Sequence, residues 1–138
     1  MKRIKDSTPK ADGFRMPGEF EKQSGVYMLW PQRTDNWRNG AKPAQEVFVK
    51  VASTIAKYEP MTMLVNRDQY ANARNMLPDN VRVIELSNND SWARDTGATF
   101  VVNKKGELRG IDWDSMHMED FMMEFIFHGI LMNVLVKK

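Results

Sequence analysis

The run Val26-Tyr-Met-Leu-Trp30 is apolar at every position and is stopped by Pro31. A continuous apolar run of this length is typical of a strand that is buried on both faces, as in a parallel sheet. Met61–Val65 predicts a second buried strand, and Val81–Glu85 predicts a third strand. Because helical patterns separate the three runs, the sequence predicts an α/β fold.

The segments between these runs carry helix signals. Pro43 suits the first turn of a helix, and Pro60 ends it. Asn66 with Gln69 resembles a capping box that opens a second, shorter helix. Each helix is expected to bury one apolar stripe, formed by Ala44, Val47, Phe48, Val51, Ile55 and Tyr58 in the first and by Tyr70, Ala73 and Leu77 in the second.

The two ends of this α/β region have different patterns. Lys5–Ser24 is rich in Pro, Gly and charge, which predicts an irregular lead-in. After the third strand, Thr99–Val102, a turn at Asn103–Gly106 and Leu108–Trp113 predict a β-hairpin.

The bulk composition excludes several classes of protein. The 138 residues suffice for about one domain. The net charge of +2 with dispersed basic residues does not favour nucleic-acid binding. The longest apolar-rich run, Phe121–Val136, is shorter than the ~20 residues of a membrane helix, so a cytoplasmic protein is expected. The absence of cysteine excludes disulfides and thiolate metal sites, and His117 and His128 lack neighbouring ligands, so no metal is expected.

The segment richest in side chains that could bind a ligand is Ser87-Asn-Asn-Asp-Ser-Trp-Ala-Arg-Asp95. It places a carboxylate three residues after an indole. A carboxylate beside an aromatic face suits a planar cation such as a guanidinium, because it offers paired hydrogen bonds and a stacking surface. The residues alone leave a second interpretation open, in which Asp95 pairs with Arg94 and Trp92 is a packing residue. Arg94 and Asp90 are interpreted as ion-pair or loop-capping residues.

Several further motifs, in order and spacing, resemble the amino-terminal third of agmatine deiminases, and the resemblance runs from Lys2 to Trp113. The motifs that carry it are Thr8-Pro-Lys-Ala-Asp-Gly-Phe-Arg-Met-Pro-Gly-Glu-Phe20, Met28-Leu-Trp-Pro31, Asp35-Asn-Trp-Arg38, Gly40-Ala-Lys-Pro-Ala-Gln45 and Asn89-Asp-Ser-Trp-Ala-Arg-Asp95.

The resemblance implies a partial pentein fold, that is, roughly one and a half ββαβ modules of a five-bladed α/β propeller. It also implies hydrolysis of agmatine to N-carbamoylputrescine and ammonia through a cysteine thiolate, with no cofactor. By the same resemblance, Asp95 binds the substrate guanidinium and Trp92 lines its pocket. Full-length relatives are expected to be homo-oligomers.

This chain departs from the family pattern in two respects. Thr96-Gly-Ala98 stands where the family usually has Cys-Gly-Pro. The family's nucleophilic cysteine and catalytic histidine belong to the later two thirds of its chain, so no catalytic residue is expected here. The 138 residues alone are therefore expected to be inactive, and a non-catalytic fragment that binds guanidinium or pairs with a homologue is the alternative.

The family pattern ends near Trp113, which divides the chain into residues 1–113 and a tail of residues 114–138. Reading the codons of Ser115–Gly129 one base earlier permits Phe-Asn-Ala-Tyr-Gly-Gly-Phe-Tyr-Asp-Gly-Ile-Tyr-Phe-Pro-Trp, which resembles the family's continuation. A base lost near the codon of Asp114 explains this, and the tail is then a frameshifted, truncated reading. Such a fragment leaves strand edges uncovered and is expected to be marginally stable.

Overall fold

The computed structural model describes Ile4 and residues 6–111. Its residues fall into two compact units, one formed by residues 23–97 and the other by the described residues up to 22 together with residues 98–111. The strands and helices, in chain order, are β1 (Phe14–Arg15), β2 (Val26–Leu29), α1 (Lys42–Ile55), β3 (Met61–Val65), α2 (Tyr70–Met76), β4 (Val81–Glu85), α3 (Ala93–Thr96), β5 (Thr99–Asn103) and β6 (Leu108–Ile111). Short 3-10 turns at Asn39–Ala41 and Arg67–Gln69 lead into α1 and α2.

The unit of residues 23–97 contains a parallel sheet in the order β2-β3-β4. Val26 pairs with Met61, and Met61 pairs with Val81. The central strand β3 is buried at all five positions. The three predicted strands therefore form one parallel sheet, and the α/β class is confirmed.

The core of this unit lies between the sheet and the two longer helices. Met61, Met63 and Val65 alternate along β3, and they cluster with Ala52 of α1 and Ala73 of α2. Because alternate residues of a strand point to one face, both helices lie on the same side of the sheet. Trp30, Leu77 and Val81 complete the buried cluster.

The buried face of α1 differs from the predicted stripe. Val47 and Val51 are 55% and 42% exposed, and Tyr58 beyond the helix is 83% exposed. Gln45 and Ala52 are the buried residues instead. The predicted stripe is nevertheless correct in part, because Ile55 packs against the core together with Val49. The face toward the sheet also contains a small residue and a hydrogen-bonded amide, which apolar periodicity does not select.

The other unit contains an antiparallel sheet in the order β1-β5-β6. The predicted hairpin is confirmed, since Thr99 pairs with Ile111 and the Gly106 N–H donates to the Asn103 carbonyl oxygen at 3.0 Å. The lead-in was expected to be irregular throughout, but Phe14–Arg15 pairs with β5 as a two-residue strand. So short a strand has no alternation that sequence periodicity could detect.

Two ion pairs stabilise the irregular lead-in of this unit. Arg15 binds both carboxylate oxygens of Glu21 at 2.6 and 2.7 Å. The hydrogen bond from Arg15 and a second from the Gly18 N–H lower the pKa of Glu21 to about 2. Arg109 pairs with Asp12 and lies over the Phe14 ring, 3.9 Å from its centroid.

The predicted tail of residues 114–138, with its boundary after Trp113 and its two histidines, lies outside the described residues. Among the residues that the structure describes, none of the helices combines the length and the apolar character that a membrane crossing requires.

Candidate functional site

The segment Ser87–Asp95 leaves the carboxyl end of β4. The carboxyl ends of β2, β3 and β4 meet at one edge of the sheet because the strands are parallel. Backbone bonds extend the pairing one residue further, from the Leu86 N–H to the Val65 carbonyl oxygen at 2.8 Å and from the Trp30 N–H to the Leu64 carbonyl oxygen at 2.9 Å. In open α/β sheets this edge is where ligands usually bind.

Asn66 fixes the first part of this segment to β3. Its Nδ2 donates to the Asn88 carbonyl oxygen at 2.7 Å, and its Oδ1 accepts from the Asn88 N–H at 2.6 Å. The expected capping box is wrong, because Asn66 makes no side-chain cap bond at the start of the following turn. A cap requires only a local partner, whereas the partner that Asn66 uses lies 22 residues away in the chain.

Arg33 fixes the next residue from the side of β2. Its Nη1 donates to the Asn89 carbonyl oxygen at 3.0 Å. Asp35 holds the other side of the same guanidinium, with bonds of 3.0 Å from Nε and 2.5 Å from Nη2. The Asp35 hydrogen bond raises the pKa of Arg33, and that bond lowers the pKa of Asp35.

The end of the segment is the helical turn α3, Ala93–Thr96. Asp90 first accepts from the Ser91 N–H at 2.7 Å, as a loop-capping residue does. The Trp92 carbonyl oxygen then accepts from the N–H groups of Asp95 at 3.2 Å and Thr96 at 3.0 Å, and from the Thr96 hydroxyl at 2.9 Å. Four residues are too few to show a helical period in the sequence.

This turn determines how the two predicted site residues lie. Trp92 is the N-cap of the turn, with a non-helical ψ of 82°, and the Asp95 N–H donates to its carbonyl oxygen at 3.2 Å. Both residues are exposed, Trp92 by 58%. An accessible carboxylate and an accessible indole in one short turn can bind a planar cation by paired hydrogen bonds and stacking. Their roles as guanidinium ligand and pocket wall remain predictions.

A shallow, open depression lies at Asp90 and Ser91 of this segment. Neither Trp92 nor Asp95 lines it. Within the described part of the chain, Trp30 Nε1 and Gln32 Oε1 are buried without a hydrogen-bond partner. Both residues belong to the lining, which consists of Trp30, Gln32, Arg33, Asn36, Trp37, Asp90 and Ser91.

Sequence reasoning missed the residues that support the segment, namely Arg33, Asp35 and Asn66. Asp35 belongs to one of the family motifs, Asp35-Asn-Trp-Arg38, which was the available signal for that pair. Nothing in the sequence indicates that Asn66 and Asn88 are partners, because side-chain-to-backbone bonds across two strands leave no periodic pattern.

Comparisons with known proteins agree with this architecture. The sequence model of the Porphyromonas-type peptidyl-arginine deiminases matches residues 15–129. A Mycoplasma mycoides subsp. mycoides protein whose name assigns it to the agmatine deiminases is 64% identical over 113 residues, which are 82% of this chain and 31% of that protein. A Listeria monocytogenes serotype 4b protein with a similar name is 60% identical over 108 residues, 78% of this chain and 30% of that protein.

The solved agmatine deiminase of Enterococcus faecalis superposes with a TM-score of 0.85 and 47% identity, over 93% of this chain and 39% of that one. The resemblance to agmatine deiminases and the partial α/β fold expected from it are thereby confirmed. The chain spans about 30% of the length of the curated relatives described above. It belongs to the family of Porphyromonas-type peptidyl-arginine deiminases.

Proposed function

We propose that these residues form the guanidinium-binding part of an agmatine deiminase, an enzyme that hydrolyses agmatine to N-carbamoylputrescine and ammonia. The similarity to agmatine deiminases supports the substrate class. The observation that carries the proposal is that Asp95 and Trp92 are both exposed and belong to one short turn, in the segment that leaves the carboxyl edge of the parallel sheet.

Asp95 supplies the charge in this site. An ionised carboxylate accepts two parallel N–H bonds from a guanidinium, a geometry that fixes the plane of the cation. Trp92 offers a flat surface beside that plane, and cation–π contact adds about 0.5–1 kcal/mol at exposed sites. Binding in this orientation presents the guanidinium carbon, the atom that a nucleophile must reach.

Hydrolysis needs a further group. In the proposed reaction a cysteine thiolate attacks the guanidinium carbon, ammonia leaves, and water then cleaves the thioether to release the urea product and regenerate the thiol. The 138 residues contain no cysteine. We therefore propose that they bind agmatine without turning it over by themselves, and that the whole protein acts in the cytoplasm as a homo-oligomer.

The second candidate is a binding fragment that holds a guanidinium or pairs with an intact homologue and has no part in catalysis. The exposure of Trp92 favours it, because a surface indole can be covered by another chain. Co-purification with a full-length relative distinguishes the two, since pairing predicts a complex that survives in the absence of agmatine.

Agmatine titration of the 138-residue chain, followed by the indole N–H resonance of Trp92, tests the main proposal. We expect saturable binding that Asp95→Asn weakens at least about tenfold, because one of the two charge-assisted bonds is lost. Asp68→Asn, on an exposed turn residue, is the matched control. Equal affinities for the wild type and Asp95→Asn refute the role of Asp95, and ammonia release by the chain alone refutes the inactivity.

A further inference from the structure

We infer that Asn66 is a positioning residue that fixes the helical turn carrying Asp95, an inference that rests on the proposed guanidinium site. The Asn66 amide uses its donor and its acceptor on one residue, Asn88, at 2.7 and 2.6 Å. The two bonds run in opposite directions, one to the carbonyl oxygen and one from the N–H of Asn88. Together they fix the orientation of the backbone as well as its position. A single bond would leave the backbone free to rotate about it.

The residue that provides these bonds is itself rigidly placed. Asn66 directly follows β3, the strand that is buried at every position. The Leu86 N–H continues the pairing with Val65. The chain just before Asn88 is therefore hydrogen-bonded to the residue just before Asn66. Sites on regular elements hold a side chain more closely than sites on free loops do.

Arg33 provides a second attachment one residue further along. Asp35 binds Nε and Nη2 of this guanidinium, which leaves Nη1 directed at the Asn89 carbonyl oxygen at 3.0 Å. Consecutive residues, Asn88 and Asn89, are thus fixed by residues that follow two different strands, β3 and β2. The helical turn Ala93–Thr96 begins four residues after Asn89.

Between these attachments and Asp95, local hydrogen bonds order parts of the segment. The Asp90 carboxylate accepts from the Ser91 N–H, and the Trp92 carbonyl oxygen accepts from the N–H groups of Asp95 and Thr96. We expect a displacement of Asn88 to be passed through this short segment to the turn. Misplacement by about 1 Å is enough to weaken a well-oriented interaction severely.

Asn66→Ala removes both bonds to Asn88. It is expected to raise the Kd for agmatine about tenfold, the change that one lost hydrogen bond produces when it is transmitted in full. Asn66→Asp keeps the acceptor for the Asn88 N–H but turns a carboxylate oxygen toward the Asn88 carbonyl oxygen, so its Kd should be raised at least as much as in Asn66→Ala. Asn80→Ala, which removes one exposed bond of 3.3 Å to the Ala56 carbonyl oxygen, is the matched control and should leave the Kd unchanged.

Amide hydrogen exchange separates positioning from general stability. We expect faster exchange at Asp95 and Thr96 in Asn66→Ala, with exchange in β3 unchanged. Wild-type affinity in Asn66→Ala, or faster exchange confined to Asn88, overturns the inference. If the wild-type chain does not bind agmatine, the proposed function fails, and the exchange at Asp95 and Thr96 still decides whether Asn66 fixes the turn.

Discussion

Gln45, a buried residue in the first turns of α1, donates from Nε2 to the Pro31 carbonyl oxygen at 2.9 Å. Its Oε1 accepts from Asn72 Nδ2 at 3.1 Å. One buried amide thereby connects α1 to the chain that follows β2 and to α2. These two hydrogen bonds explain why α1 buries a polar side chain on the face where its periodicity predicts apolar residues.

Gln45→Leu is expected to lower the free energy of unfolding by about 2 kcal/mol, because the buried Pro31 carbonyl loses its partner. Urea denaturation measures this change. Gln69→Leu is the matched control, since the Gln69 side chain makes longer hydrogen bonds, of 3.3 and 3.5 Å. It should change stability by no more than about 0.5 kcal/mol. Equal losses in both variants would contradict the role of the buried amide.

The Arg33–Asp35 ion pair predicts that the stability of the protein decreases at acidic pH. The Arg33 hydrogen bond lowers the pKa of Asp35 in the folded state. The contribution of Asp35 to stability is therefore complete above its unfolded pKa of about 3.9 and is lost as the pH falls through the lower folded value.

Thermal unfolding of the wild type and Asp35→Asn over a pH series checks this dependence. We expect the difference in Tm to be constant above about pH 5 and to shrink as the pH falls below about 4. A difference in Tm that grows as the pH falls would contradict a stabilising ion pair between Arg33 and Asp35.

Gly97 ends the turn that carries Asp95, and it has no room for a side chain. A Cβ at this position would lie 2.5 Å from the Ala93 carbonyl oxygen, a backbone atom of the same turn. Gly97→Ala is expected to open the turn, cost about 1–3 kcal/mol and weaken agmatine binding.

Gly18→Ala is the control for this substitution. Its added Cβ would lie 2.6 Å from the ring of Phe20. That side chain is 94% exposed and can move aside. Thermal unfolding and agmatine titration are used to compare the two variants. A Gly97→Ala protein with wild-type affinity would refute the importance of the turn.

The proposed boundary after Trp113 makes a prediction about the gene. Sequencing through the codon of Asp114 should show a neighbouring register that encodes Phe-Asn-Ala-Tyr-Gly-Gly and continues into a cysteine-containing segment. A neighbouring register interrupted by stop codons directly after this point would contradict the frameshift and leave the tail as genuine coding sequence.

Much of the fold could be predicted because it is periodic. The three predicted strands, the two longer helices and the hairpin each carry an apolar pattern, and each forms where that pattern lies. The strand of Phe14–Arg15 and the turn of Ala93–Thr96 were missed because so few residues show no period.

The candidate site was only partly predictable. Asp95 and Trp92 are conspicuous as a carboxylate and an indole in one short segment, and family motifs contain both. Their supports, Asn66 and Arg33, act through the backbone of Asn88 and Asn89. A bond to a peptide group places no requirement on the partner's side chain, so the sequence does not reveal the pairing.

A crystal structure of the 138-residue chain with agmatine tests the central claim most directly. We predict two guanidinium nitrogens within about 2.7–2.9 Å of the Asp95 carboxylate oxygens, with the indole of Trp92 beside the plane of the cation. Agmatine ordered elsewhere, with the Asp95 carboxylate paired to Arg94 in its presence, would contradict the account.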